Sequence, residues 1–164
     1  MTVTVSLPKG VVRGVLMEFR RHFTTKEWLI LQASPIWVGF LVAAADGHAD
    51  PKEIDENLRQ TIRAATFSTG FTKEVFEDHV YMHLNDDDAL SAVVETLDPL
   101  EGLKAVSILL GKIPASEAEN FKDTLRNMAF KIALVSDGID KNEEAAIKLI
   151  DLILDGQFNL PFYY

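Results

Sequence analysis

Apolar residues recur along this chain at three- and four-residue spacing, the period of an amphipathic helix. No stretch shows sustained alternation or an Asn-Gly hairpin signal, so no strand is expected. Val12, Val15, Leu16 and Phe19 mark a first helix over residues 8–22, with Arg13, Arg20 and Arg21 on or beside its polar side. Thr24 or Thr25 caps a short helix ending at Gln32. Ser34-Pro35, an N-cap followed by a first helical proline, opens another that reaches about Ala45. That second piece is apolar on nearly all sides (Ile36, Trp37, Phe40, Leu41, Val42), as a centrally buried helix is. Asp50-Pro51-Lys52-Glu53 places an N-cap, an N1 proline and a capping-box glutamate in order. Ile54, Leu58, Ile62 and Ala65 continue it as an apolar stripe to about residue 68. Thr72 caps a helix to about Leu84, and Asn85-Asp86-Asp87-Asp88 precedes Leu90, Val93, Val94 and Leu97. Pro99 begins a helix carrying Leu103, Val106, Leu109 and Leu110, ended by Gly111 and Pro114. A long helix starts at Ala115 or Ser116 and runs to Ser136 on the stripe Phe121, Leu125, Met128, Ile132 and Val135. The last spans about 141–155, stopped by Gly156. The pattern predicts one all-α domain over 1–164, a compact bundle of seven to nine helices.

One local pattern occurs twice. An apolar helix runs into Asp46-Gly47, then Asp50-Pro51-Lys52-Glu53; another runs into Asp137-Gly138, then Asp140-Lys141-Asn142-Glu143-Glu144. Such repetition points to an internal pseudo-repeat. Asp50, Glu53, Asp140 and Glu143 sit at helix N-termini, where a carboxylate caps amides and favours the dipole. Capping explains them without a metal. Asp46 and Asp137 sit at helix C-terminal ends, where carbonyl oxygens already concentrate negative potential, so a cation or a basic group must compensate. Carboxylate and carbonyl oxygens together suit Ca²⁺ or Mg²⁺. Alternatively, these aspartates turn back onto amides of their own loops. Counted from Asp-Gly, Glu53 matches Glu144; counted from the cap, it matches Glu143. Both registers are open at the level of sequence. Neither loop has EF-hand spacing.

Other chemistry is thin. His79 and His83 lie at i, i+4 and could share a zinc ion if Asp78 or Asp86 completed the site, but both also border the stripe of Phe76, Val80 and Leu84. His48 has Ile139 as its counterpart in the second junction. No phosphate-binding Gly-rich loop, nucleophile elbow or triad pattern is present, so no enzyme and no organic cofactor are expected.

Composition narrows the function classes. The absence of cysteine removes disulfides, thiolate metal sites and a cysteine nucleophile, and fits a reducing cytoplasm. The net charge of −9 argues against nucleic acid as a partner of the bulk surface. The charge is uneven: residues 1–82 hold 9 basic and 10 acidic side chains, and residues 83–164 hold 7 and 15. That acidic half, or the aromatic tail Phe158-Asn159-Leu160-Pro161-Phe162-Tyr163-Tyr164, is a candidate protein-contact surface. Trp28 to Ala45 carries no charge over 18 residues, but the Ser34-Pro35 junction leaves each piece too short to span a bilayer. The N-terminus lacks the layout of a secretory signal.

Ala45-Asp46-Gly47 through Glu53, with Asp137-Gly138 through Glu144 as a divergent second copy, resembles the TerB family associated with tellurite resistance. Helical content, length and acidity agree with it. The resemblance implies a compact pseudo-symmetric helical module in a cytoplasmic metal or chemical stress response. It also implies work at the inner face of the membrane with other Ter proteins, and Asp46, Glu53, Asp137 and Glu144 as metal-site candidates. It implies no enzymatic activity.

Overall fold

A computed structural model describes residues 18–45, 47, 50–85, 88–135 and 138–157. Every regular element among them is helical. A 3₁₀ turn at Arg20–His22 leads into α1 (Thr25–Ala43), followed by α2 (Pro51–Phe67), α3 (Gly70–Asn85), α4 (Asp88–Thr96) and α5 (Pro99–Leu109). A second 3₁₀ turn, Leu110–Lys112, leads into α6 (Ala115–Leu134), and α7 (Lys141–Leu154) closes the described fold. Of the helix expected over 8–22, only its end is described, and that end is the first 3₁₀ turn.

The centre of the bundle is α1. Two helices were expected here, broken at Ser34-Pro35; the chain instead forms one helix of 19 residues with Pro35 inside it. Proline removes the amide that Leu31 O would accept. The Ser34 hydroxyl supplies the replacement, donating to Leu31 O at 2.7 Å. The Pro35 carbonyl in turn accepts from Asn57 Nδ2 of α2 at 2.9 Å. Burial on nearly every side makes a continuous helix worth more than the local break, because tertiary packing supplies most helix stability. All the other α-helices touch α1.

The N-terminal parts of α1, α3 and α6 are pinned by aromatic rings. Phe71 of α3 lies 6.0 Å from Phe19, 5.9 Å from Phe23, 6.0 Å from Trp28 and 5.1 Å from Phe121. Edge-to-face and tilted rings at such separations attract through their quadrupoles as well as by burial. Helix α5 runs back along α1: Gly102 abuts the Trp37 ring, and Lys112, just past α5, reaches Glu27 in the first turn of α1 at 2.9 Å.

Helix starts differ in how their first amides are satisfied. Three are local capping boxes: Thr24 with Glu27, Asp50 with Glu53, and Asp140 with Glu143. The start of α3 is different. Thr72 was its expected cap, yet α3 begins at Gly70 and Thr72 is buried inside it. Its Phe71 amide instead donates to Glu117 Oε1 of α6 at 2.8 Å.

Of the apolar stripe of α2, Ala65 faces the core and the other three residues do not. Ile54 is 58% exposed, Leu58 48% and Ile62 47%. Inward positions are Glu53, Glu56, Thr61, Ala64 and Ala65. The capping box and the Asn57–Pro35 bond fix the helix phase, leaving the stripe about 100° round from the buried side.

Two stretches carry the same order of elements at a constant spacing of 90 residues: a 3₁₀ turn, a long helix, then a capping-box helix. The seven buried residues of α6 (Ala118, Phe121, Leu125, Met128, Ala129, Ile132, Ala133) all fall, 90 residues earlier, on buried positions of α1.

Candidate functional site

The acidic junctions are built from the caps outward. Asp50 Oδ1 accepts from Lys52 N at 2.9 Å, and Glu53 Oε1 accepts from Asp50 N at 3.1 Å. In the second junction Asp140 Oδ1 accepts from Glu143 N at 2.8 Å, and Glu143 Oε1 accepts from Asp140 N at 3.1 Å. The first glycine of each loop has left-handed backbone, with φ of 98° at Gly47 and 86° at Gly138, a region that a side chain disfavours.

This geometry decides between the two registers. Glu53 and Glu143 make the same bond and are buried alike, at 2% and 4% exposure. Glu144 points outward, its side chain 62% exposed, and pairs with Lys148 at 3.3 Å. The counterpart of Glu53 is therefore Glu143. Asp46, His48 and Asp137 lie outside the described residues, as do Asp86 and the aromatic tail from Phe158 to Tyr164. Among the described residues no three His, Asp or Glu side chains converge as a metal site requires.

The two histidines sit in different environments. His79 is buried, and its Nδ1 lies 2.6 Å from Gln32 O of α1, so that nitrogen carries the proton. Burial pushes its pKa below the ordinary imidazole value; the carbonyl partly opposes that shift, and His83 adds to it. His83 is exposed. Asp78, the proposed third zinc ligand, accepts from Trp28 Nε1 at 2.8 Å and from Gln32 Nε2 at 2.9 Å. Its visible geometry fastens α3 to α1.

Other acidic groups also turn out to be structural. Glu74 of α3 accepts the Phe19 and Arg20 amides at 3.0 and 3.2 Å, closing the first 3₁₀ turn. Its burial raises its pKa against the opposing pull of those amides. Arg126 of α6 gathers Glu119 and Asp123 at 2.8 Å, Asp151 at 2.5 Å and Asp155 at 2.6 Å. Partial burial disfavours its charge, but the carboxylates outweigh that and hold its pKa above the ordinary guanidinium value. Asp151 and Asp155 lie at the C-terminal end of α7, the unfavourable pole for a carboxylate, and Arg126 supplies the compensating cation. Part of the acidic second half is thus neutralised internally.

A shallow apolar groove of about 440 Å³ lies beside the first junction, between α1 and α2, lined by Ile36, Gly39, Phe40, Ala43, Glu53 and Ile54. Phe40 is exposed there and continues the outward stripe of α2. Sequence periodicity had identified these apolar residues but not their outward orientation. Nothing in sequence indicated the long-range roles of Glu74 and Glu117, which bond amides 55 and 46 residues away. Among the described residues no helix is long and apolar enough to cross a membrane. No family model matches the chain, and no solved structure matches it significantly.

Proposed function

We propose that this chain is a non-enzymatic, TerB-like helical module whose two acidic junctions take a divalent cation, in a metal or chemical stress response such as tellurite resistance. What supports the reading is the recurrence of similar junction elements, a left-handed glycine and then a capping box whose glutamate is buried, with the glycines 91 residues apart and the boxes 90. In this reading the two halves form a pseudo-repeat. Asp46 and Asp137 are the principal ligands, with oxygens from Asp50, Glu53, Asp140 and Glu143 beside them. The cation would be Ca²⁺ or Mg²⁺, since every candidate donor is a hard oxygen. Glu144 is displaced from this set by its outward pairing with Lys148. The proton on Nδ1 leaves only Nε2 of His79 to bind a zinc ion, and Asp78, the candidate third ligand, is held by Trp28 and Gln32. A cation joining both junctions would fix the angle between helix pairs α1–α2 and α6–α7, and so alter a surface read by other proteins. The TerB resemblance points to membrane-associated Ter components in the cytoplasm as those proteins.

Calorimetric titration of metal-free protein with Ca²⁺, Mg²⁺, Mn²⁺ and Zn²⁺ tests this. Binding should vanish when Asp46→Asn is combined with Asp137→Asn. No binding by any of the four ions, or unchanged binding in that double variant, would overturn it. A second reading, a contact scaffold without metal, is favoured by the outward apolar stripe on α2. Partner capture that ignores chelator would favour it over the first.

A further inference from the structure

We infer that a polar cleft between the α2–α3 corner and α6 is a binding site for a neutral sugar. Two adjoining hollows, of about 360 and 180 Å³, share Phe67, Ser68, Thr124 and Asn127 and make one cleft. The larger falls in the size range of small-molecule sites. One wall is a face of α6, where Asn120, Thr124 and Asn127 recur at helical spacing. Ninety residues earlier the same face of α1 reads Ile30, Ser34 and Trp37, all buried in the core. On α6 that face is given instead to carboxamides and a hydroxyl.

The chemistry of the lining identifies the ligand. Arg63 and Asp123 are the charged side chains among the described lining, and both are engaged. Arg63 lies over the Phe67 ring, and Asp123 is held by Arg126 at 2.8 Å. The other polar side chains are hydroxyls and carboxamides, which both donate and accept, as sugar hydroxyls do. Phe67 borders both hollows at 73% exposure, and its ring offers a flat apolar surface to the C–H face of a sugar. The start of α3 borders the cleft through Thr69 and Thr72, and a helix N-terminus draws anions. Here Glu117 already holds that place, accepting the Phe71 amide at 2.8 Å. Thr72 supplies an independent sign of a ligand. It lines the cleft at 2% exposure, and its hydroxyl has no hydrogen-bond partner. Valine would fill the same space without a buried polar atom. A turn about the Cα–Cβ bond exchanges hydroxyl and methyl at no cost in volume, which lets a ligand seated on that wall claim the hydroxyl. This inference does not depend on cation binding.

Titration of the full chain with glucose, galactose, mannose and N-acetylglucosamine, followed by ¹H–¹⁵N NMR, tests it, with inorganic phosphate as the anionic control. At least one sugar should shift the amides of residues 68–72 and 120–127 saturably, and phosphate should not. Asn127→Ala and Phe67→Ala, both at exposed positions, should each weaken binding by about tenfold. Thr72→Val should weaken it too, while leaving the melting midpoint of the free chain unchanged or higher, because no protein bond is lost. No saturable shift with any of the four sugars up to about 100 mM overturns the inference. So does phosphate moving those amides where the sugars do not. So does binding undiminished in both Asn127→Ala and Phe67→Ala.

Discussion

Glu143 and Glu144 are adjacent and chemically identical, yet the structure assigns them opposite consequences on removal. Glu143→Ala deletes the acceptor for the Asp140 amide and opens a small gap where a buried side chain stood. Losing half a capping box costs about 1 kcal/mol, and the lost burial brings the total to about 1–2 kcal/mol. Glu144→Ala deletes an exposed i, i+4 pair with Lys148 at 3.3 Å. Such a pair contributes about 0.3–0.5 kcal/mol, and the better helix propensity of alanine offsets part of it. For a chain of this length 1 kcal/mol moves the melting midpoint by about 2–4 °C. Thermal melts followed by circular dichroism at 222 nm should show Glu143→Ala lower by about 3–6 °C and Glu144→Ala within about 1 °C of the parent. Glu143→Gln should recover most of the loss, because a glutamine oxygen can accept the same amide. Equal losses at the two positions, or a larger loss at Glu144, would refute the register on which the equivalence of Glu53 and Glu143 rests.

Two further outcomes follow from the packing and from burial. A methyl group at position 102 would sit 2.6 Å from atoms of the fully buried Trp37 ring. Gly102→Ala should therefore lose about 1 kcal/mol in urea denaturation, the clash outweighing the roughly 1 kcal/mol that alanine gains over glycine in a helix; a stabilised variant would show that Trp37 yields. His79 prefers its neutral form when folded, while the unfolded chain takes up a proton near the ordinary imidazole value of about 6.5. Its contribution to stability is thus complete above that value and declines as pH falls below it. Urea midpoints measured from about pH 8 down to about pH 5 should fall less steeply in His79→Gln than in the parent, and parallel profiles would remove His79 as the cause.

Caps proved legible because they are written within four residues. Thr24 to Glu27, Asp50 to Glu53 and Asp140 to Glu143 each bond only within their own turn. Pro35 misled because its local cost is real, and what offsets it is the Ser34 hydroxyl together with a bundle closed around α1. Ile54, Leu58 and Ile62 of the α2 stripe had the right period but an outward phase, while Ala65 is buried, since phase is set by tertiary bonds such as Asn57 to Pro35 rather than by spacing. The start of α3 was misplaced for a related reason: its amide is satisfied by Glu117, remote in sequence and near only after folding. At the candidate site the cap acids were recognisable, while the choice between Glu143 and Glu144 needed to know which one turned inward.

The position of α1 has a consequence for how the molecule comes apart. Every other helix leans on it, so none can peel away without exposing part of it to water. Local opening and global unfolding are then closely tied for α1, whereas they diverge for helices at the rim. In native-state hydrogen exchange the core amides of α1, on either side of the missing amide at Pro35, should be the last to exchange. Their rate would serve as a clock for the stability of the whole fold, read from a helix that a proline would ordinarily have cut in two.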